Sequence, residues 1–276
     1  EEALSANGAR LQLSCYHYDA DEEDRAIKFL LESGVDGLLL VPTLVDLPDP
    51  AGRVGRLMSL PVPVVLLERR LPDSGPADFS EHVCSDHEGG AYDAVRHLAA
   101  LGHHELALIS RSHNPTEAAV DRGFYHAVRD LELASPFRCA ARKETWNADA
   151  ADRALRGIRG AGSTAALVFG DREAILLEGA ARRAGVDVPG QLALVSYDDE
   201  TADIAEVPLT AVAPPKYRVG RMAAEVLLRR LDEGNACPLH QVRLRPRLVI
   251  RESCGATTTN APANSTAKGT NSTAKV

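Results

Sequence analysis

Short apolar runs alternate with amphipathic stretches at helical spacing along nearly the whole chain, and few architectures accept that alternation. The runs Asp36–Pro42 (DGLLLVP), Val62–Leu67, Glu105–Ser110 (ELALIS), Ala165–Phe169 and Leu192–Ser196 read as strands buried on both faces. Arg10–Tyr16 also reads as a strand, and further strand-like pieces lie at His82–Cys84, Phe137–Ala140, Leu209–Ala213, Gln241–Leu244 and Arg247–Ile250. Between them the spacing predicts helices over Asp21–Ser33, His87–Leu101, Ala118–Leu131, Ala148–Arg159, Arg172–Ala184 and Tyr217–Leu231. In the first of these, Ile27, Leu30 and Leu31 share one face; Ala91, Val95 and Leu98 do so in the second. Repeated strand–helix units demand parallel sheets with right-handed crossovers. At roughly 150 residues per domain, 276 residues make two such units. The expected fold class is therefore α/β: two doubly wound parallel-sheet lobes, with ligand bound in a cleft at the carboxyl ends of the strands.

Several functions are excluded or disfavoured by composition. No run approaches the ~20 apolar residues of a membrane helix, so no membrane partner is expected. Lys and Arg number 31 against 39 Asp and Glu, a net charge of −8, which makes the chain itself a poor nucleic-acid binder. The beginning, EEALSANGAR, is too polar for a signal peptide. Five scattered cysteines without a CxxC pair fit a reducing cytoplasm. From Gly255 to Val276 the chain contains only Ala, Thr, Asn, Ser, Gly, Pro, Lys and a final Val and repeats NSTAK, so residues 255–276 are expected to be a disordered tail.

Catalytic motifs are not found. There is no phosphate loop, nucleophile elbow or HExxH, and nothing motif-like supports an enzyme. Cys84 and His87 are three apart, but a metal site needs at least three ligands, so neither metal nor cofactor is expected. Two features point to a small-molecule site. Asp198 follows a buried strand at its carboxyl end, where it reads as a ligand acceptor or a turn residue. Trp146, the one tryptophan, lies in the polar stretch Lys143–Asp149, where it reads as a stacking platform for a sugar or planar ring, or as packing.

Six stretches, in this order and spacing, resemble the effector-binding core of lac-repressor-type (LacI/GalR) transcription regulators. They are Gly34–Pro42, Pro63–Arg69, Leu98–Ser110, Gly185–Asp199 (GVDVPGQLALVSYDD), Val207–Ala213 and Arg247–Cys254 (RLVIRESC). The resemblance spans Glu1 to Cys254. It implies a type I periplasmic-binding-protein-like core with chain crossovers between the lobes near Ser112, Val207 and Ala236. The first lobe would then be 1–111 and 208–235, and the second 112–207 and 236–254. It also implies a homodimer, a small-molecule effector such as a sugar, and operator DNA bound only through a headpiece. Residues matching that headpiece and the first core strand are not found here, and Glu1–Gly8 resembles the end of the first core helix. The chain is thus expected to be a piece of such a regulator. A periplasmic-type sugar-binding protein for transport shares the fold and is the alternative.

Carried over position by position, the resemblance marks Asp171, Asp198 and Trp146 as effector contacts, together with Arg69, Glu88 and Lys216 facing the cleft. Two positions depart from the family pattern. Val120 stands where an Arg is frequent, three before the pair Gly123-Phe124, and Gly170 stands where an Asn precedes the Asp. Asp171 also reads as a helix cap and Arg69 as a surface cation.

Overall fold

The computed structural model describes residues 1–44, 47–71, 78–112, 116–141 and 145–256, with only the backbone of Ala141 described. It forms two α/β lobes, each built on one sheet. The first sheet is parallel throughout, in the order β1 (Leu38–Leu40), β2 (Val64–Leu67), β3 (His82–Ser85), β9 (Gln241–Leu244). Alternate residues face opposite sides. Val64 and Leu66 pack under α2 (Ala20–Glu32) and α3 (Pro50–Met58), while Val65 and Val83 pack under α8 (Lys216–Glu233).

Six strands make the second sheet, ordered β10 (Arg247–Val249), β8 (Thr210–Ala213), β7 (Ala193–Tyr197), β6 (Ala165–Val168), β4 (Glu105–Arg111), β5 (Ala134–Ala141). All pairs are parallel except β10 with β8. One face, through Leu106, Leu108, Leu167 and Val195, carries α4 (His87–Ala100) and α5 (Glu117–Asp130). The other, through Ala107, Ile109, Val168 and Leu194, carries α6 (Ala148–Gly160) and α7 (Asp171–Arg183). A short helix α1 (Glu2–Ser5) leans on α8. Helices α4 and α5 approach closely at Gly123, where an added Cβ would lie 1.9 Å from the carbonyl oxygen of Glu88. Only glycine permits that approach.

The chain crosses between lobes after β3, between β8 and α8, and between β9 and β10. These points differ from the boundaries read from the sequence. Helix α4 and strand β4 belong to the second lobe, not the first; so does β8, while β9 completes the first sheet. Periodicity identifies an apolar helix face but not the sheet that receives it. Arg10–Tyr16 is not a strand: it pairs with none of the described strands, and Leu11 and Leu13 are exposed. An isolated extended segment has no partner for its backbone groups. Helix α3 was not anticipated, because the proline-rich LPDPAG around its start reads as a loop; Asp49 caps it, accepting from Gly52 N at 2.8 Å, with Pro50 in its first turn. The tail from residue 257 lies outside the described residues.

Candidate functional site

The carboxyl ends of strands from both sheets converge on the space between the lobes. There a cleft of about 500 Å³ is lined from the first lobe by Glu68, Arg69, Arg70 and Arg243, and from the second by the starts of α4 and α5.

At the end of β2, Glu68 adopts a φ of 56° and turns its carboxylate back onto β3. It accepts from Ser85 N at 3.0 Å and Ser85 Oγ at 2.9 Å, and His87 Nε2 lies 3.3 Å away. Burial alone would raise the Glu68 pKa, but these hydrogen bonds and the imidazole outweigh it and hold the carboxyl below its usual range. A carboxylate accepts only, so His87 Nε2 carries the proton. In the neutral ring Nδ1 then accepts from the hydroxyl of Tyr197, 3.0 Å away. Tyr197 is fully buried at the end of β7, and that burial drives its phenol well above its ordinary pKa. Glu68, His87 and Tyr197 thus form a polar link from one lobe to the other across the first crossover.

Arg69 and Glu88 line the cleft. The Arg69 guanidinium, 8% exposed, donates to the carbonyl of Pro42 at 3.1 Å and lies 4.5 Å from the centre of the Tyr18 ring. It is therefore buried, not a surface cation. Glu88 is paired with Arg122 at 3.3 Å and His126 at 2.9 Å.

Asp198 and Lys216 form a second group at the crossover into α8, 3.7 Å apart, with Glu200 on the same lysine. Neither Asp198 nor Lys216 lines the 500 Å³ cleft. Asp198 has a φ of 100°, a strained value for a residue with a Cβ. Burial raises its pKa, against the opposing pull of Lys216 and Arg111. Lys216 is raised: burial works against its charge, but the bond to Glu200 and the field of Asp198 prevail.

Asp171 stands behind this group. One oxygen accepts from Ser196 Oγ at 2.8 Å; the other accepts from the backbone N–H groups of Glu200 (2.6 Å) and Thr201 (3.0 Å). Its lone pairs hold the turn that presents Asp198, so it serves as a positioning group. Trp146 is 2% exposed and packed in the core with Ile109, Leu155 and Ala174; its Nε1 donates to the carbonyl of Glu173 at 3.3 Å. The ring supports the wall under α7 and is not an open stacking platform.

Arg111, at the carboxyl end of β4, was not singled out from the sequence, although its position after an apolar run carries the same signal as Asp198. Its guanidinium bonds Glu173 at 2.7 Å and lies over Phe169. A Cβ on Gly170 would meet Arg111 Nη2 at 2.1 Å. Gly170 also has a φ of 119°, a conformation that glycine adopts without strain and residues with a Cβ rarely do, which favours glycine at this departure. Among the described residues, no three His, Cys, Asp or Glu side chains are placed to hold a metal, and no helix is long and apolar enough to cross a membrane. Burial pushes the Cys84 thiol up to about 11, which leaves it a poor nucleophile.

Wholly or partly buried histidines and hydrogen-bonded carboxylates set the acid response. Burial holds His82, His97 and His103 below the ordinary histidine value. Below about pH 6.5 the unfolded chain binds protons that the fold does not, so stability falls as pH drops through that window. Glu68, Glu81 and Asp86 are depressed, each by hydrogen bonds that overcome burial. Their contribution is present above the ordinary carboxylate value and is lost as pH falls below about 4. Calorimetry from pH 8 to 3 should show a Tm that declines from about pH 6.5 and drops faster below about 4. A Tm rising between pH 7 and 5 would contradict this assignment.

Two sheets crossed three times by one chain, with a polar cleft at their strand ends, define a periplasmic-binding-protein-like core. The family model described as "Periplasmic binding protein-like domain" matches residues 95–254, and the chain belongs to that family. Within it, the chain is similar to the cores of LacI-type transcription regulators. It is 29% identical over 261 residues to an arabinose metabolism transcriptional repressor of Geobacillus stearothermophilus, covering 92% of this chain and 70% of that protein. It is 28% identical to the HTH-type transcriptional repressor PurR of Photobacterium profundum, covering 82% of this chain and 66% of the relative. Among solved structures it resembles the transcriptional regulator CelR in complex with cellobiose, with a TM-score of 0.75 and 26% identity over 91% of this chain and 76% of that one. A LacI family transcriptional regulator from Mycobacterium smegmatis superposes with a TM-score of 0.71 at 27% identity, covering 91% and 90%. The chain spans about two thirds of the length of the curated relatives it matches.

Proposed function

We propose that this chain is the effector-sensing and dimerisation core of a DNA-binding transcriptional regulator, and that it binds a small molecule, a sugar, between its lobes. The observation that carries this reading is the cleft of about 500 Å³ walled by both lobes. A ligand there touches both bodies at once and so stabilises one lobe arrangement over others. In this reading the protein acts in the cytoplasm as a homodimer, reaches operator DNA through a headpiece, and catalyses no reaction. Linkage then requires effector and DNA to change each other's affinity by the same factor. Arg69 and Glu88, which line the cleft, are proposed effector contacts; Asp198 and Lys216 stand outside it, at the crossover into α8, and are proposed to reach the effector when the lobes close on it, while Asp171 and Trp146 hold the second lobe's wall in place. The printed names of the relatives, an arabinose repressor and a regulator bound to cellobiose, support a sugar.

Thermal unfolding with pentoses, hexoses, disaccharides, sugar acids and sugar phosphates tests the reading. A sugar at about 100 times its Kd should add roughly 2.7 kcal/mol of stability. The shift should vanish in Asp198→Ala while the free protein still melts cooperatively. A shift that survives Asp198→Ala would remove that residue from the site. No shift with any sugar would refute the sugar reading.

A further inference from the structure

The charges around the cleft divide unevenly between the lobes. Each carboxylate that lines it already has a cationic or imidazole partner. Glu68 faces His87 at 3.3 Å, Glu88 faces Arg122, and Asp86 is bound by Arg245 at 2.7 Å. Glu117 and Asp121 share Arg138, at 3.4 and 2.5 Å. Three guanidiniums on the first lobe's wall have no carboxylate within ion-pair distance among the described residues: Arg69, Arg70 and Arg243. Arg69 is buried against Pro42 and Tyr18; Arg70, half-buried, reaches only the carbonyl of Leu71 among the described residues, at 3.3 Å, and Arg243 is exposed. A cation taken out of water without an anion is costly, and an anion supplied from outside relieves that cost. Opposite these arginines, the cleft is lined by the first turn of α5, through Glu117, Ala118 and Ala119. The positive end of a 14-residue helix thus faces the same space.

Resting on the proposed function above, we propose that the effector carries an anionic group, a carboxylate or a phosphate. Arg69, Arg70 and Arg243 of the first lobe receive it opposite the start of α5 in the second. Guanidiniums bind such groups through two parallel N–H donors. An anion held from both sides draws the walls together, which a neutral hydroxyl does less strongly. The ligand class that fits is a sugar acid or a sugar phosphate.

Isothermal titration of the chain with D-gluconate, D-glucose 6-phosphate, D-glucose and inorganic phosphate tests this, in the wild type and in Arg70→Gln/Arg243→Gln. Both substituted residues are at least partly solvent-accessible, so the variant should fold; its melt without ligand verifies that. Wild type should bind at least one of the two anionic sugars at least tenfold more tightly than glucose, with an affinity that falls as salt rises. The double variant should erase that difference. Gluconate against glucose 6-phosphate, with phosphate alone as reference, separates carboxylate from phosphate. Binding of glucose as tight as that of either acid overturns the anionic inference and leaves the sugar reading intact. Anion binding unchanged in the double variant also overturns it. No binding by any of the four probes overturns the inference, and the broader sugar panel then decides the function on its own.

Discussion

Replacing Arg53 with methionine is expected to destabilise the protein by about 3–5 kcal/mol. Its guanidinium lies 3.0 Å from Glu23, which is 0% exposed, and 2.5 Å from Asp24. The other Glu23 oxygen accepts from the backbone N–H of Thr43 at 2.7 Å. Without Arg53, a fully buried carboxylate loses its counter-ion. The loss should appear as a Tm drop of roughly 10 °C at 2–4 °C per kcal/mol. Replacing both Arg53 and Glu23 with methionine should recover much of it, because no unpaired charge then remains. A single variant within 1 °C of wild type would show that the pair contributes little. The pair also bears on function, since it fixes the segment whose Pro42 carbonyl holds Arg69.

Asp171→Ala should cost about 3 kcal/mol, because three donors lose one buried charged acceptor. It should also abolish effector binding, since Asp171 accepts from the backbone N–H groups of Glu200 and Thr201 in the turn that carries Asp198. Urea unfolding and ligand-induced Tm shifts measure the two losses separately. The pairing of losses is diagnostic. A residue that merely contacted ligand would, on truncation, lose binding and keep its urea midpoint. A variant with unchanged midpoint and no ligand shift would return Asp171 to the role of a direct contact.

Much of the secondary structure was legible, because strands buried on both faces give continuous apolar runs and helices on their faces give 3.6-residue spacing. DGLLLVP contains β1, and ELALIS covers β4 except its last residue, Arg111. Which sheet each element joins was not legible. Helix α4 presents Ala91, Val95 and Leu98 to the second sheet, and nothing in that stripe distinguishes one apolar surface from another. The candidate site was partly legible. The carboxyl end of a strand marked Asp198 and the resemblance marked Asp171, but neither showed that Asp171 holds the turn beside Asp198. Trp146 misled for a physical reason: the polar residues around it are a helix start, with Asn147 capping α6, while its ring turns inward. Arg111 and the link through His87 and Tyr197 depend on contacts between distant segments, which local pattern does not encode.

The three crossovers also dictate when each half can form. The first sheet takes its edge strand from Gln241–Leu244, which pairs with His82–Ser85 about 160 residues earlier, and the second takes its last strand from Arg247–Val249. During synthesis neither half can close until nearly all of these residues have emerged, so the two must finish almost together. Pairings this distant in sequence slow folding through the entropy of closing the intervening loop. Cutting the chain between its halves would therefore yield two incomplete sheets, each with an open edge prone to aggregation, instead of two independent domains.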